Sequence, residues 1–259
     1  MTMQNEITTY YENYDEEGRL TRDNAHLPEY LTTIRYFDKL FAPGSRILDA
    51  CAGAGRYAFY LANKGHTVTA CDLSQHHVDI IKSNPDAHKL EDISTCNTLD
   101  LSRFTDNSFD VVLCMGALYH LYDDKDKHQA LSECVRVCKP GGIIAIAYIT
   151  KIGAILTEMN DDASNIDILV KSAYRLDESI SSVFVCAAPH EIEELAAEFG
   201  LEQMHHIGVD VIGPVGEKLN RASDEDFHRY MEFLYMVCED PSYLGASIHG
   251  LWIGRKQSI

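Results

Sequence analysis

Glycines between a predicted strand and a predicted helix are the first feature of the sequence that suggests chemistry. Residues 46–50 form a short apolar strand, Gly53 and Gly55 follow it, and a helix is expected from about Arg56 to Lys64. Glycines let the backbone approach a ligand closely, and the first N–H groups of the helix are free to bind it. The pattern predicts a turn that holds a nucleotide, and the alternative is a tight turn that binds no ligand.

Two aspartates close to this turn narrow the choice of ligand. Asp72 ends the next predicted strand, at 66–72, where a carboxylate is placed to accept hydrogen bonds from ribose hydroxyls. Asp49 ends the first strand, four residues before Gly53. A carboxylate there repels a pyrophosphate and attracts a cationic ammonium or sulfonium group. The pair therefore favours S-adenosylmethionine over a dinucleotide.

The elements that must position these residues alternate between strands and helices. The predicted strands are 46–50, 66–72, 90–94, 109–114 and 143–148. The predicted helices are 27–41, 56–64, 74–83 and a segment near 130–138, which Pro-Gly-Gly at 140–142 is expected to break. Apolar strands that alternate with helices indicate a parallel sheet with both faces covered.

The pattern becomes irregular after residue 148. A helix that ends at Gly200, a strand at 201–208 and a last strand at 247–255 are still expected. The acidic segments 151–188 and 213–245 lie between them, and we expect them to cap the carboxyl ends of the strands, where open α/β sheets bind ligands. Residues 10–19 are polar and aromatic and show no clear period.

Four segments together resemble the class I S-adenosylmethionine-dependent methyltransferases, and most closely the bacterial small-molecule enzymes of that class. They are 47–56, 71–74, 108–121 and 137–142, in the family's order. The resemblance covers residues 46–149, and the end of the chain also fits. It implies an α/β Rossmann-like fold with a seven-stranded, mostly parallel sheet, an antiparallel last strand, helices on both faces and cap insertions.

The predicted organisation is one methyltransferase domain over residues 1–259, a length that suits a single large domain. Within it, residues 1–45 are expected to form an N-terminal lid and helix. Residues 46–149 are the expected cofactor-binding core, and 151–188 and 213–245 are the cap insertions.

The resemblance also implies which residues border S-adenosylmethionine. Asp49, Gly53 and Gly55 border its methionine end, and Asp72 holds its ribose. Asn97 stands where the family often has an acidic residue for the adenine amino group, and its amide oxygen can still accept that hydrogen bond. The remaining positions of this predicted shell are Ala50, Leu73, Thr98, Leu99, Met115 and Gly116. The chain departs from the family pattern at Cys51, where Gly is usual, and at Ala54, where a small polar residue is usual.

Three further residues each have two interpretations. Arg56 pairs either with the carboxylate of the cofactor or with an acid on the surface, and Arg19 is a similar candidate for the cofactor carboxylate. Tyr11, together with Tyr10 and Tyr14, either folds over the site as a lid or belongs to a frayed terminus.

Tyr119 and His120 follow the fourth predicted strand and are the candidates for catalysis. Methyl transfer from a sulfonium is an in-line displacement, so the enzyme must hold the acceptor close to the methyl group. A hydroxyl or ammonium acceptor must also lose a proton, which His120 can accept. The alternative for His120 is a structural hydrogen bond to the backbone, and Tyr119 is expected to form a wall of the pocket.

No metal site is predicted. Neighbouring residues on a strand point to opposite faces, so the pair His205 and His206 is a poor set of ligands. Cys134 and Cys138 have no second pair and no histidine nearby.

Composition bounds the partners and the compartment. The 259 residues include 22 Lys and Arg against 40 Asp and Glu, a formal net charge of −18, which disfavours binding to a phosphate backbone. No apolar run reaches the ~18–20 residues of a membrane span, and the polar N-terminus does not resemble a signal peptide. We therefore predict a cytoplasmic protein with no nucleic-acid or membrane partner, and its eight cysteines are expected to be free thiols.

The sequence thus predicts an enzyme that transfers a methyl group from S-adenosylmethionine to a small molecule by in-line displacement. One alternative is a protein that binds S-adenosylmethionine without catalysis, because no residue is an unmistakable catalyst. A second alternative is an NAD-dependent oxidoreductase on a similar sheet, against which Asp49 and the turn at 139–142 count. A third is a methyltransferase for tRNA or protein, and the net charge disfavours tRNA. The sequence does not predict the acceptor or the oligomeric state.

Overall fold

The computed structural model describes residues 3–12, 14, 16–177, 182–213 and 215–258. The helices are α1 (Met3–Glu12), α2 (Leu27–Leu40), α3 (Arg56–Asn63), α4 (Gln75–Ser83), α5 (Asp124–Val137), α6 (Lys151–Asp161), α7 (Ile166–Ala173), α8 (Pro189–Glu198), α9 (Val215–Leu219), α10 (Asp224–Val237) and α11 (Pro241–Leu244). The strands are β1 (Arg46–Asp49), β2 (Thr67–Asp72), β3 (Asp92–Thr95), β4 (Phe109–Cys114), β5 (Cys138–Thr150), β6 (Cys186–Ala187), β7 (Leu201–Gly208) and β8 (His249–Lys256).

The strands form one open sheet in the order β3-β2-β1-β4-β5-β8-β7. Neighbours from β3 to β5 are parallel, and β8 runs antiparallel to both β5 and β7. The predicted mostly parallel sheet with an antiparallel last strand is therefore confirmed. The predicted number of seven strands is wrong by one, because the two-residue β6 pairs with the end of β5 and is too short to give a sequence signal.

Apolar side chains that alternate along the strands build a core on each face of the sheet. Leu48 and Val112 belong to the core that α5 and α8 cover. Ile47 and Val111, one position earlier in each strand, belong to the core that α2, α3, α4 and α10 cover. Because both faces are buried, the strands read as continuous apolar runs, as expected for a parallel sheet. Trp252 lies in the first core and is only 1% exposed.

Helix boundaries follow local signals in most places. Ser74 is the N-cap of α4, as predicted, and its hydroxyl accepts a hydrogen bond from the N–H of His77. The segment 140–142 does not end a helix, because α5 has already ended at Val137 and these residues lie in β5, at an irregularity in its pairing with β4. The segment 10–19, which shows no clear period in the sequence, begins within a helix, because α1 runs from Met3 to Glu12.

The two irregular segments are in different surroundings. Thr150 caps α6 at the end of β5, and β6 lies beside that same strand end. α9 contacts the N-terminal segment, where the side-chain oxygen of Asn220 accepts a hydrogen bond from the N–H of Ala25 at 2.8 Å. α10 packs beside α2 on a face of the sheet, with the Arg35 guanidinium 4.3 Å from the centre of the Tyr235 ring. Their role as caps stays a prediction.

The expectation that all eight cysteines are free thiols is wrong for one pair. Cys71 and Cys96 form a disulfide with their Cα atoms 5.6 Å apart. Cys71 lies near the end of β2 and Cys96 follows β3, so the parallel pairing of these strands brings the two thiols together. Composition cannot reveal such a neighbourhood. The free cysteines are Cys51, Cys114, Cys134, Cys138, Cys186 and Cys238.

None of the helices in the described ranges combines the length and the apolar character that crossing a membrane requires.

Candidate functional site

A cavity of about 1020 Å³ opens at the carboxyl ends of β1, β2, β3 and β4. The N-terminal segment covers part of it through Ile7, Tyr11, Glu16, Arg19 and Leu20. The structure brings thirteen of the sixteen predicted site residues to its wall: Tyr11, Arg19, Ala50, Gly53, Arg56, Asp72, Leu73, Asn97, Thr98, Met115, Gly116, Tyr119 and His120. Asp49, Gly55 and Leu99 are not among its lining residues.

Gly53 and Gly55 hold the turn between β1 and α3 in a conformation that glycine favours. Their φ angles are +52° and +85°, in the left-handed region. A Cβ on Gly53 would lie 3.3 Å from the Cγ of Glu16, so the N-terminal segment approaches the turn closely here. A Cβ on Gly55 would lie 3.0 Å from Ile81, which places Gly55 at the packing of α3 against α4 rather than at the cavity wall.

Asp49 lies beneath this turn and is 2% exposed. Its Oδ2 atom has no hydrogen-bond partner among the described residues. Burial, followed by the nearby Asp72 carboxylate, raises the pKa of Asp49 to about 7. A buried carboxylate without a partner is costly unless a cation or a donor reaches it. Asp49 is therefore well suited to a positively charged group at the glycine turn.

The Asp72 carboxylate is already a hydrogen-bond acceptor for three groups. Its Oδ2 accepts from the N–H of Gly53 at 2.8 Å, and its Oδ1 accepts from the N–H of Ser74 at 2.9 Å. Oδ1 also lies 3.1 Å from Nδ1 of His77. These contacts tie the glycine turn to the first turn of α4 and fix the carboxylate at the cavity wall.

The loop after β3 contributes Asn97 and Thr98 to the cavity. The side-chain oxygen of Asn97 accepts a hydrogen bond from the N–H of Leu99 at 2.9 Å, and one lone pair remains for a further donor. Leu99 turns away from the cavity and packs against the core that α5 covers.

His120 connects the loop after β4 to the N-terminal segment. Its Nδ1 lies 2.8 Å from the carbonyl oxygen of Val183, and its Nε2 lies 2.9 Å from the hydroxyl oxygen of Tyr11. A carbonyl only accepts, so Nδ1 carries the proton and the neutral ring accepts from Tyr11 at Nε2. Burial lowers the pKa of His120, which keeps the ring neutral near pH 7. This one ring thus makes the backbone hydrogen bond of the structural alternative and also has a basic nitrogen, which accepts from Tyr11.

Aromatic rings surround His120. Tyr119 lies 4.7 Å away between ring centroids, and Phe184 lies 5.2 Å away. Tyr10 packs edge-on against Phe184 at 5.3 Å and stacks with Tyr14 at 5.4 Å. Burial raises the pKa of Tyr119, so its hydroxyl keeps its proton. The wall near His120 is therefore apolar and planar.

Arg19 is held by two carboxylates rather than left open to a ligand. Its guanidinium makes two hydrogen bonds to Glu29, at 2.7 and 3.0 Å, and its Nε lies 3.2 Å from Glu16. Burial raises the pKa of Glu29, but the charges of Arg19 and then His249 outweigh it and bring the pKa to about 2. His249 in turn lies 2.6 Å from Asp210.

Glu29, Asp210 and His249 are close enough together to resemble a set of metal ligands. Arg19 lies 2.7 Å from Glu29 and balances its negative charge. Burial lowers the pKa of His249, but Glu29 and Asp210 outweigh this effect and raise the pKa. The group is therefore balanced as a chain of ion pairs that links the N-terminal segment to β8.

Arg56 does not make the predicted pair with a surface acid among the described residues, and its pairing with the carboxylate of the cofactor stays a prediction. It is exposed at the cavity rim, and it donates a hydrogen bond to the hydroxyl of Thr21. Its guanidinium lies 5.4 Å from the centre of the Tyr30 ring. An ion pair between Arg56 and a surface acid does not occur in the part of the chain that the structure describes.

Sequence reasoning missed Glu16, His77 and Phe184. Glu16 lines the cavity and Phe184 packs against His120. Both lie in segments without a regular pattern, so no sequence signal indicates either contact. His77 had a usable signal, because it lies one turn after the N-cap Ser74 and five residues after Asp72, on the side of α4 that faces the sheet.

Comparisons with known proteins give this site a family context. A family described as a methyltransferase domain matches residues 48–146. The ubiquinone biosynthesis O-methyltransferase of Coxiella burnetii is 27% identical over 108 residues, which are 42% of this chain and 45% of that protein. The chain therefore spans less than half the length of this curated relative.

Two further proteins align over more of the chain. The tRNA 5-carboxymethoxyuridine methyltransferase of Escherichia coli is 25% identical over 209 residues, which are 79% of this chain and 78% of that protein. A methyltransferase solved in complex with the Trm112 methyltransferase activator of Haloferax volcanii superimposes with a TM-score of 0.63 at 20% identity. That superposition covers 97% of this chain and 98% of the other, and it shows the same fold.

Proposed function

We propose that this chain, which carries the domain of the class I S-adenosylmethionine-dependent methyltransferases, transfers a methyl group to a small-molecule acceptor. The observation that carries the proposal is the basic Nε2 of His120, which lies at the wall of the cavity and accepts a hydrogen bond from Tyr11 at 2.9 Å. It supplies the proton acceptor that a methyltransferase for hydroxyl or amine groups needs.

The residues at the glycine turn fit S-adenosylmethionine. Asp49 has a buried carboxylate oxygen without a partner among the described residues, which suits the ammonium group of the methionine end. Gly53 and Asp72 both line the cavity, and Asp72 offers a carboxylate oxygen to a ribose hydroxyl. When bound, the cofactor supplies an electrophilic methyl group on a sulfonium.

The aromatic wall has the role of positioning the acceptor. Tyr11, Tyr119 and Phe184 surround His120, so a planar or apolar acceptor packs among these rings. In-line displacement needs the acceptor atom opposite the leaving sulfur, and fixed walls reduce the entropy cost of that alignment. His120 accepts the proton of the acceptor by way of Tyr11, whose hydroxyl takes that proton while it passes its own to Nε2. The bond from Nδ1 to the Val183 carbonyl fixes the orientation of the ring.

Charge supports a neutral or cationic small acceptor. The net charge is −18, and Arg19 at the cavity is held by Glu16 and Glu29. Within the described ranges, an anionic acceptor therefore finds Arg56 as the only arginine or lysine at the cavity wall that is not paired with a carboxylate. The same charges disfavour a nucleic-acid backbone. We also propose that residues 1–45 serve as the lid and that the protein acts in the cytoplasm.

A second candidate acceptor is a modified nucleotide in tRNA. The alignment with the tRNA 5-carboxymethoxyuridine methyltransferase, which spans 79% of this chain, favours it. The two candidates differ in what enters the cavity, so they are separated by the size of the labelled product.

The test has two stages. First, thermal unfolding is measured with S-adenosylmethionine, S-adenosylhomocysteine and NAD. A ligand present at 100 times its Kd adds about 2.7 kcal/mol to stability, and we expect this only with the two sulfur nucleotides. Second, methyl-labelled S-adenosylmethionine is incubated with the low-mass fraction of a bacterial extract or with total tRNA. Label in the low-mass fraction supports the proposal, and label in tRNA alone supports the second candidate.

The role of His120 is tested with His120→Gln once an acceptor is found. We expect kcat to fall on the order of 10²–10⁴-fold, while the affinity for S-adenosylhomocysteine is unchanged. His128→Gln is the matched control, because the side chain of His128, on α5, is 43% exposed and does not line the cavity. Cofactor binding without turnover on any acceptor would instead support the non-catalytic alternative.

A further inference from the structure

His77 is a buried histidine at the cavity that the proposed mechanism does not use. It is 2% exposed, it lies in the first turn of α4 and it lines the cavity. Its Nδ1 lies 3.1 Å from Oδ1 of Asp72. Its Nε2 is buried and has no hydrogen-bond partner among the residues that the structure describes.

The bond to Asp72 determines what His77 offers to a ligand. A carboxylate accepts only, so Nδ1 carries the proton of this contact, and in the tautomer with its one proton on Nδ1 the Nε2 atom offers a lone pair. A buried polar atom without a partner costs free energy, and such atoms are rare in folded proteins. The unpartnered Nε2 therefore indicates that a group of the ligand donates a hydrogen bond to His77.

The hydrogen bonds that Asp72 already makes indicate which group of the ligand binds His77. A carboxylate has about four lone-pair positions, and Gly53, Ser74 and His77 already use three of them. Asp72 can therefore accept from one more donor, whereas a ribose presents two adjacent hydroxyls. A second acceptor beside Asp72 is needed, and the unpartnered nitrogen of His77 belongs to a ring that contacts this same carboxylate.

We propose that Asp72 and His77 each bind one hydroxyl of the vicinal diol of the cofactor ribose. Asp72 accepts a hydrogen bond from one hydroxyl, and Nε2 of His77 accepts a hydrogen bond from the other. This inference rests on the proposed use of the cavity for S-adenosylmethionine. It makes His77 a specificity-determining residue for the ribose. Tyr11 covers the pair from the N-terminal segment, with its ring centroid 5.0 Å from that of His77.

The test measures whether His77 and one ribose hydroxyl depend on each other. Kd values are determined by calorimetry for S-adenosylhomocysteine and for its 2′-deoxy and 3′-deoxy analogues, with the wild-type protein and with His77→Phe. In the wild type, we expect the loss of either hydroxyl to weaken binding by up to about tenfold. In His77→Phe, we expect one of the two losses to have no further effect and the other to keep its full effect.

Two additional variants separate recognition from stability. His77→Gln retains an acceptor and should restore part of the dependence on that hydroxyl. His76→Phe is the matched control, because His76 is the exposed neighbour on the same helix and should behave as the wild type. If His77→Phe fails to fold, the His77→Gln measurements decide.

Different outcomes test the role of His77 and the proposed function. If both hydroxyls keep their full effect in His77→Phe and His77→Gln, Asp72 alone accepts the diol and this inference is overturned. If the wild type binds no S-adenosylhomocysteine at all, the proposed function itself is overturned.

Discussion

Replacing Asp49 with asparagine should stabilise the protein and weaken its affinity for the cofactor. Asp49 is 2% exposed, and one of its carboxylate oxygens has no hydrogen-bond partner within the described ranges. Burial and the Asp72 carboxylate raise its pKa from 3.8 to about 7. An asparagine has the shape of the protonated acid and never becomes charged, so Asp49→Asn removes the cost of the buried charge.

The pKa gives the size and the sign of the effect. In an unfolded chain Asp49 loses its proton near pH 3.8, whereas in the folded protein it keeps the proton up to about pH 7. The wild type therefore loses stability as the pH rises through this window, by about 1.4 kcal/mol per pH unit. Above pH 7 the accumulated loss is about 4 kcal/mol, which is the upper limit of what Asp49→Asn can recover.

Urea unfolding of both proteins between pH 5 and pH 8.5 measures this directly. We expect the advantage of Asp49→Asn to grow up to about pH 7 and then to level off. Asp110→Asn is a control of opposite sign. Burial raises the pKa of Asp110, but Lys139 and the N–H of Arg46 outweigh it and lower the pKa, so its removal should destabilise the protein above pH 4.

Binding of the cofactor should reverse the order of stability of the wild type and Asp49→Asn. If Asp49 contacts the methionine ammonium, S-adenosylhomocysteine stabilises the wild type at pH 8 and stabilises Asp49→Asn much less. A stability difference that does not change with pH, or an Asp49→Asn variant that is less stable than the wild type at pH 8, would refute the argument from burial.

Three further predictions concern the disulfide, the glycine turn and the N-terminal segment. Cys71→Ser should lower the free energy of unfolding by about 3.5 kcal/mol, because the disulfide with Cys96 closes a loop across a separation of 25 residues. In urea unfolding, a reductant should abolish the difference between this variant and the wild type. Gly55→Ala should cost more than the ~1–2 kcal/mol of a left-handed alanine, because its methyl group also meets neighbouring side chains at 3.0 Å. Gly65→Ala, with φ +89° and open space around it, should show the backbone cost alone in the same assay. Glu29→Gln removes the two-pronged partner of Arg19, and limited proteolysis should then cut the N-terminal segment before α2 while the rest of the chain stays folded.

The parts of the fold that sequence reasoning predicted are those set by local, continuous patterns. β4 and β7 have the predicted bounds. A mostly apolar run defines β4, and β7 begins directly after Gly200, which follows the end of α8. The cavity wall at 50–56 and 115–120 was also accessible, since motifs at strand ends come together whenever the strands are parallel neighbours.

The parts that sequence reasoning missed depend on contacts between distant segments. The bond between Tyr11 and His120 joins residues 109 positions apart, and nothing in either segment indicates the other. The disulfide between Cys71 and Cys96 depends on which strands are neighbours. The segment 140–142 was misread for another reason, because Pro and Gly usually end a helix and here they lie in an irregular stretch of β5.

The N-terminal segment links the two halves of the proposed reaction. Tyr11 contacts both His120, the proposed proton acceptor, and His77, which lies beside Asp72, the proposed ribose ligand. Arg19, eight residues later, attaches the same segment to Glu29 and, through His249 and Asp210, to β8. Opening of this segment would therefore expose the cofactor and separate Tyr11 from the base in one motion. Tyr11 can therefore bind His120 only while the N-terminal segment covers the cavity. A covered cavity also keeps water away from a reactive methyl donor.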